Sequence, residues 1–127
     1  MNVYFWFKCL FARSFVLTVI HLSLLEIPVF LKGVSDTSAM EGETVSLEVL
    51  IDSDSDCQLQ WFKNSNKLSE GGRISFVNDG QGKFSLILRD AEDEDSGEYR
   101  CVAQNEAGKV SSAGKLSVES KYSVELR

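Results

Sequence analysis

At 127 residues the chain has room for one domain of ordinary size and a short extension. Hydrophobic residues make up 43%, enough for a packed core, which excludes wholesale disorder. A formal net charge of −6, with no basic stripe interleaved with aromatics, excludes a nucleic-acid binder, which needs a basic face to displace counterions.

Along the chain, Met1 to about Leu25 is strongly apolar, with Tyr4-Phe5-Trp6-Phe7 and then Phe15-Val16-Leu17-Thr18-Val19-Ile20. Lys8 and Arg13 interrupt it, and the first acid is Glu26. Three readings stay open. Phe15 to Leu25 has the length of a signal-peptide core, but Ser23-Leu24-Leu25-Glu26-Ile27 offers no small-residue cleavage site. A membrane span wants about 20 uninterrupted apolar residues, which Lys8 and Arg13 deny. The third reading is an alternative first exon or gene-model artefact ahead of a domain cut from a longer protein.

From Ile27 the pattern turns to strands. Pro28 to Leu31 suits an edge strand, where a missing N–H is tolerated. Gly42-Glu43 turns the chain into Thr44–Leu50, whose Val45, Leu47 and Val49 alternate inward. Asp52 to Asp56 reads as a polar loop, and Leu59 and Trp61 share one face of the next strand. Gly71-Gly72 breaks the chain before Ile74 and Phe76, and Asn78 to Gly82 makes a hairpin turn. Phe84, Leu86 and Leu88 alternate; Tyr99, Cys101 and Ala103 follow. A turn at Asn105 to Gly108 then leads to Leu116 and Val118. Short alternating strands without a sustained helical period predict an all-β antiparallel sandwich. The expected division is residues 1–26 as an apolar extension, 27–119 as the domain and 120–127 as a tail or linker.

Asp95-Ser96-Gly97-Glu98-Tyr99-Arg100-Cys101 narrows the class. A Tyr two residues before a Cys, behind Asp-x-Gly, marks a tyrosine corner. With Trp61 upstream, the run Leu86-x-Leu88-x-x-Ala91 leading into it, and Cys101-x-Ala103-x-Asn105-x-x-Gly108 after it, the chain resembles an immunoglobulin domain of the I-set type over roughly its last 100 residues. The wording is most similar to modules of muscle and cytoskeletal proteins of the titin, twitchin, obscurin, myosin light-chain kinase and palladin kind. The resemblance implies that Trp61, Leu86, Gly97, Tyr99 and Cys101 are architectural. It also implies an ion pair between Arg73, opening the fourth strand, and Asp95 at the corner.

One position departs from the pattern. Where the family carries the disulfide partner of Cys101, this chain has Val49. The missing bridge would close a loop of about 50 residues, worth about 4 kcal/mol. A chain in a reducing compartment loses little by replacing it with valine, because thiols stay reduced there. Cys57, four residues before Trp61, falls near a loop on another strand, so no disulfide is expected and Cys101 reads as a buried free thiol. The three cysteines Cys9, Cys57 and Cys101 lack metal-ligand spacing, and no N-glycosylation acceptor is present.

Other tempting patterns fail on chemistry. Asp52-x-Asp54-x-Asp56 lacks the glycine and the twelfth-position glutamate of a calcium loop. Glu92 to Asp95 reads as solvated corner charge rather than paired catalytic carboxylates. Ser96 and His21 make no nucleophilic dyad, and the glycines of Asn78–Gly82 lack the lysine of a phosphate loop. The expectation is therefore a non-catalytic protein–protein interaction and scaffolding module with no cofactor, metal or small-molecule substrate. Its expected partners are proteins and neighbouring immunoglobulin or fibronectin-type domains of a longer parent. Membrane association enters only if the apolar start is retained. The expected location is cytoplasmic and cytoskeletal or sarcomeric, with a secreted or cell-surface module as the alternative.

Overall fold

The computed structural model describes residues 26–52 and 57–120. The readings placed on the apolar start, on Asp54 and Asp56, and on the tail from Lys121 lie outside the described residues. Nine strands build two sheets among the described residues: β1 (Val29–Lys32), β2 (Thr37–Met40), β3 (Val45–Asp52), β4 (Gln58–Lys63), β5 (Asn66–Lys67), β6 (Ile74–Asn78), β7 (Lys83–Leu88), β8 (Gly97–Asn105) and β9 (Gly108–Glu119). The four-stranded sheet runs β1-β3-β7-β6 and the five-stranded sheet β2-β9-β8-β4-β5.

The period-two pattern fixes which face of each strand is buried. Val45, Leu47, Val49 and Ile51 on β3 lie buried opposite Leu88, Leu86 and Phe84 of β7, in the register Val45↔Leu88, Leu47↔Leu86 and Val49↔Phe84. On the second sheet Trp61 of β4 pairs with Cys101 of β8, and Leu59 with Ala103. Leu116 and Val118 of β9 complete one continuous core. Each such side chain contributes about 1.5–3 kcal/mol on full burial.

Two features depart from the pattern expected of a plain antiparallel sandwich. β2 pairs with β9 in parallel, in the register Thr37↔Leu116 to Met40↔Glu119, so the larger sheet is mixed. β2 and the two-residue β5 carry no alternating apolar signal in Thr-Ser-Ala-Met or Asn-Lys, which leaves them silent to pattern reading. The first strand spans Val29–Lys32, one residue later than the Pro28–Leu31 pattern; Pro28 precedes it, fully buried. A bulge between Phe30 and Lys32 bends it.

Between β1 and β2 the chain crosses from one sheet to the other. Gly33 is required at the crossing, because a Cβ there would stand 2.2 Å from Ser112 Oγ. The Val34 N–H donates to Ser112 Oγ (2.9 Å), and the Lys115 N–H donates to Asp36 Oδ1 (2.9 Å).

Candidate functional site

The densest polar constellation sits at the corner between β7 and β8, where a 3-10 turn (Asp93–Asp95) precedes Gly97. Arg73 reaches it from the start of β6. Its Nη1 donates to Asp95 Oδ2 (2.8 Å) and its Nη2 to Asp95 Oδ1 (3.1 Å), a bidentate pair. Nη1 also donates to the Asp90 carbonyl at 3.0 Å. The Asp95 side chain, 12% exposed, further accepts the Glu92 N–H at 2.7 Å. Burial alone would raise the Asp95 carboxyl, but the Arg73 guanidinium and the Glu92 N–H outweigh it and hold the group below the usual carboxylate range.

Tyr99 closes the corner from the other side, its hydroxyl donating to the Asp95 carbonyl at 2.7 Å. The ring is buried, and burial pushes the phenol up to about 12. Gly97 has φ 156°, and a Cβ on it would lie 2.8 Å from Asn64 Nδ2. That close approach lets Asn64 Oδ1 accept the Glu98 N–H (3.0 Å). Asn64 and Ser65 themselves take positive φ (49° and 76°) in the tight turn between β4 and β5.

Cys101 and Val49 occupy the core, and Cys57 packs against it. Val49, Leu86 and Cys101 are all 0% exposed, and Trp61 is 2% exposed. Val49 belongs to the four-stranded sheet and Cys101 to the five-stranded sheet. Burial raises the Cys101 thiol to about 12, which makes it a poor nucleophile. Cys57 is half-buried against the same core, and burial raises its thiol too, against a hydrogen bond from the Gln104 backbone. Both thiols are free. Cys101 pairs with Trp61, and Cys57 lies four residues before Trp61. That offset is about 13 Å along the strand, beyond the roughly 7 Å Cα separation a disulfide tolerates.

The remaining patterns resolve into structure. Glu92, Asp93 and Glu94 are exposed, and only Asp95 of that run is buried. The Lys63 ammonium donates to the Glu94 carbonyl. Ser96 Oγ accepts the Val118 N–H at 2.9 Å, tying the corner to β9. In the turn from Asn78 to Gly82, Asp79 Oδ1 accepts the Gln81 N–H (2.7 Å) and the Lys83 N–H (3.0 Å). These two amides hold the Asp79 carboxyl below the usual range, and they are occupied by a carboxylate rather than open to a phosphate.

A cleft of about 260 Å³ opens between the sheets beside Cys57, Leu59, Trp61, Phe76 and Phe84. Among the described residues its walls carry no carboxylate, lysine or histidine for acid–base work. Also among the described residues, no group of three His, Cys, Asp or Glu side chains could hold a metal ion, and no helix is long and apolar enough to cross a membrane.

Sequence reasoning paired Arg73 with Asp95, and the structure brings the two together. It missed Asn64, Ser96, Ser112 and Asp36, whose side chains hold backbone groups of segments distant in sequence. Asn64 at a positive φ is the one such position whose residue type signals a tight turn.

Comparison with known proteins follows the same geometry. The chain is 38% identical over 94 residues to a titin homolog of Caenorhabditis elegans, covering 72% of this chain and a share of that protein that rounds to 0%. It is 34% identical over 98 residues to the muscle M-line assembly protein unc-89 of the same organism, covering 77% of this chain and 1% of the relative. The chain therefore spans about one hundredth or less of the length of these relatives.

Among solved structures, the titin M3 domain superposes with a TM-score of 0.69 at 33% identity, covering 72% of this chain and 96% of that one. A domain from the complex of titin M10 with an obscurin-like 1 immunoglobulin domain gives 0.70 at 28% identity, covering 73% and 94%. Residues 28–118 match the family model described as the immunoglobulin I-set domain. With the tyrosine corner, the core tryptophan and the two-sheet topology in place, the chain belongs to the immunoglobulin I-set family.

Proposed function

We propose that residues 27–119 act as a non-catalytic protein-binding and scaffolding module within a longer muscle or cytoskeletal protein. The observation that carries this reading is the close likeness to immunoglobulin domains of muscle proteins, joined to a corner whose reactive-looking side chains bond to one another. Arg73, Asp95 and Tyr99 serve the architecture, which leaves sheet faces, edges and end loops for docking. The titin M10 complex with an obscurin-like 1 domain shows one immunoglobulin module of this kind engaging another.

A buried Val49 at the family's cysteine position, with Cys101 buried and unbridged, supports a cytoplasmic, reducing location. Expression of the tagged full chain in cultured muscle cells tests both parts. Retention in the cytoskeletal fraction, with reversible crosslinks to other proteins, is the expected result. Recovery in the medium would remove the reading.

A secreted or cell-surface module is the second reading, favoured by the apolar run Phe15–Leu25. N-terminal sequencing of the mature chain separates the two: cleavage near Leu25 supports secretion, and an intact Met1 excludes a cleaved signal.

A further inference from the structure

We propose that the outer face of the five-stranded sheet binds an acidic, partly apolar peptide segment of a partner protein, seated on Phe62 between Lys67 and Arg100. The proposal rests on the reading of the domain as a protein-binding module and names the surface and the partner chemistry. On β8 the odd-numbered Tyr99, Cys101 and Ala103 are buried, so the even-numbered side chains point outward. The ladders set neighbouring side chains there in rows. Lys67 stands opposite Phe62, Phe62 opposite Arg100, and Arg100 opposite Ala113. Further along β8, Gln60, Val102 and Ser111 form a second row, and Gln58, Gln104 and Lys109 a third. Side chains directly opposite one another have Cβ atoms about 5 Å apart, so the rows are contiguous. In the first row two cations flank a half-buried aromatic ring.

Charge on this face runs against that of the chain. The formal net charge is −6, yet the outward positions of these strands carry Lys67, Arg100, Lys109 and Lys115, with Glu98 among them. Glu106 at the hairpin tip and Glu119 at the far end of β9 bound the patch. Glu98 lies 3.4 Å from Arg100 Nη2 and opposite Lys115. Both members of the Glu98–Arg100 pair are about half exposed, so the pair contributes little and a partner's carboxylate can replace it. Lys67 and Lys109 make no ion pair among the described residues. On the outer face of the other sheet the cations are engaged: Lys83 is 3.4 Å from Glu48, and Arg89 donates to Ser75 Oγ at 2.8 Å.

The strand edges offer little to the alternative mode, strand addition. On β6 the Phe76 N–H donates to Glu70 Oε2 (3.1 Å), and Ile74 exchanges two backbone hydrogen bonds with Gly71 (3.0 Å each). On β2 the Met40 N–H donates to Glu43 Oε1 at 2.7 Å. β5 is two residues long, and β1 carries a bulge. The cationic rows measure about 14 Å across the strands and about 13 Å along them, far below the roughly 800 Å² per partner of a standard interface between two domains. That footprint fits a short extended segment whose carboxylates reach the cations while an apolar side chain covers Phe62 and Val102. Beyond the patch the net negative charge repels a phosphate backbone.

The test titrates the ¹⁵N-labelled full chain with a synthetic octapeptide of aspartate and glutamate carrying one phenylalanine and one leucine. Controls are the same peptide with asparagine and glutamine in place of the acids, and an oligothymidylate of equal length. Expected are amide shifts around residues 62, 67, 100 and 102, none on the four-stranded sheet and none with the neutral peptide. Affinity should fall about tenfold as salt rises from about 50 to about 300 mM. Lys67→Glu combined with Arg100→Glu should weaken binding roughly tenfold or more, with the rest of the spectrum unchanged. Lys32→Glu, on β1 and outside the patch, should leave the affinity within about twofold. Absence of shifts at millimolar peptide, shifts confined to other residues, an equal response to the neutral peptide, or tighter binding of the oligothymidylate overturns the proposal. Shifts of the same face that grow with protein concentration alone would assign it to a second copy and overturn it too. If binding fails while the tagged chain is still retained in the cytoskeletal fraction, the module reading stands and this face does not.

Discussion

The hydroxyl of Tyr99 reaches back 2.7 Å to the main-chain carbonyl of Asp95, while the carboxylate of the same Asp95 is gripped by Arg73. One residue thus receives the phenol through its backbone and the guanidinium through its side chain. Tyr99→Phe keeps the ring in the core and leaves the carbonyl without its donor. The expected cost is about 1–3 kcal/mol, the desolvation penalty of an orphaned buried acceptor. Urea unfolding checks it, with a lower midpoint and an unchanged m-value.

The Asp95 carboxyl is held below its unfolded value, which sets the sign of an acid limb. Its contribution to stability is complete above the ordinary aspartate pKa of about 3.9 and is lost as pH falls through the lower folded value. Arg73→Ala should destabilise the protein at neutral pH by about 1–2 kcal/mol, at the low end for charge-assisted hydrogen bonds because the guanidinium is partly exposed. The variant should also flatten the acid limb. Denaturation midpoints of both proteins between pH 6 and pH 2 provide the measurement; parallel curves would refute the assignment.

An alkaline limb follows from the core. The Cys101 thiol is raised from 9.0 to about 12 and the Tyr99 phenol from 10.0 to about 12. The unfolded chain therefore loses these protons first, and stability should fall as pH rises from about 9 toward 12. Cys101→Val should shrink the earlier part of that fall, to which the raised Cys57 thiol also contributes, and leave the part that begins near pH 10. Thermal scans across this window, run with reductant, separate the two groups.

Val49→Cys restores the family's bridging position opposite Cys101. Under oxidising refolding the variant should lose two hydrogens in intact mass and gain up to about 4 kcal/mol, a gain abolished by reductant. Reduced, it should be slightly less stable than the parent, since a thiol fills less of the core than valine's two methyls. Failure to oxidise would show that the two sheets hold these positions outside bridging distance.

Gly97→Ala places a methyl 2.8 Å from the Asn64 amide at φ 156°. A loss of about 1–3 kcal/mol is expected from strain and from displacement of Asn64. Adding Asn64→Gly should recover part of it by removing the clash, which a double-mutant cycle would read as coupling.

The legible parts of this fold were those where burial and period coincide. β3 and β8 alternate cleanly, β7 does so apart from its buried Ser85, and Val45, Leu47, Val49, Leu86, Leu88 and Cys101 sit where a period of two puts them. The corner was legible because Asp95, Gly97 and Tyr99 each answer a different steric or hydrogen-bonding demand within five residues. β2 was not legible: Thr37–Met40 is held by its parallel pairing to β9, a relation between residues almost 80 apart. The roles of Ser96, Ser112 and Asp36 were equally hidden, because a short polar side chain names no distant partner in advance.

The crossing at Gly33 has a mechanical meaning that the absence of a disulfide brings forward. β1 belongs to one layer and β2 to the other, so the four residues between them are a covalent strap across the sandwich. The layers cannot slide apart at this edge without stripping β1 from β3 or β2 from β9. A peptide backbone thereby does at the rim what two cysteines would otherwise do at the centre, and reducing conditions leave it untouched.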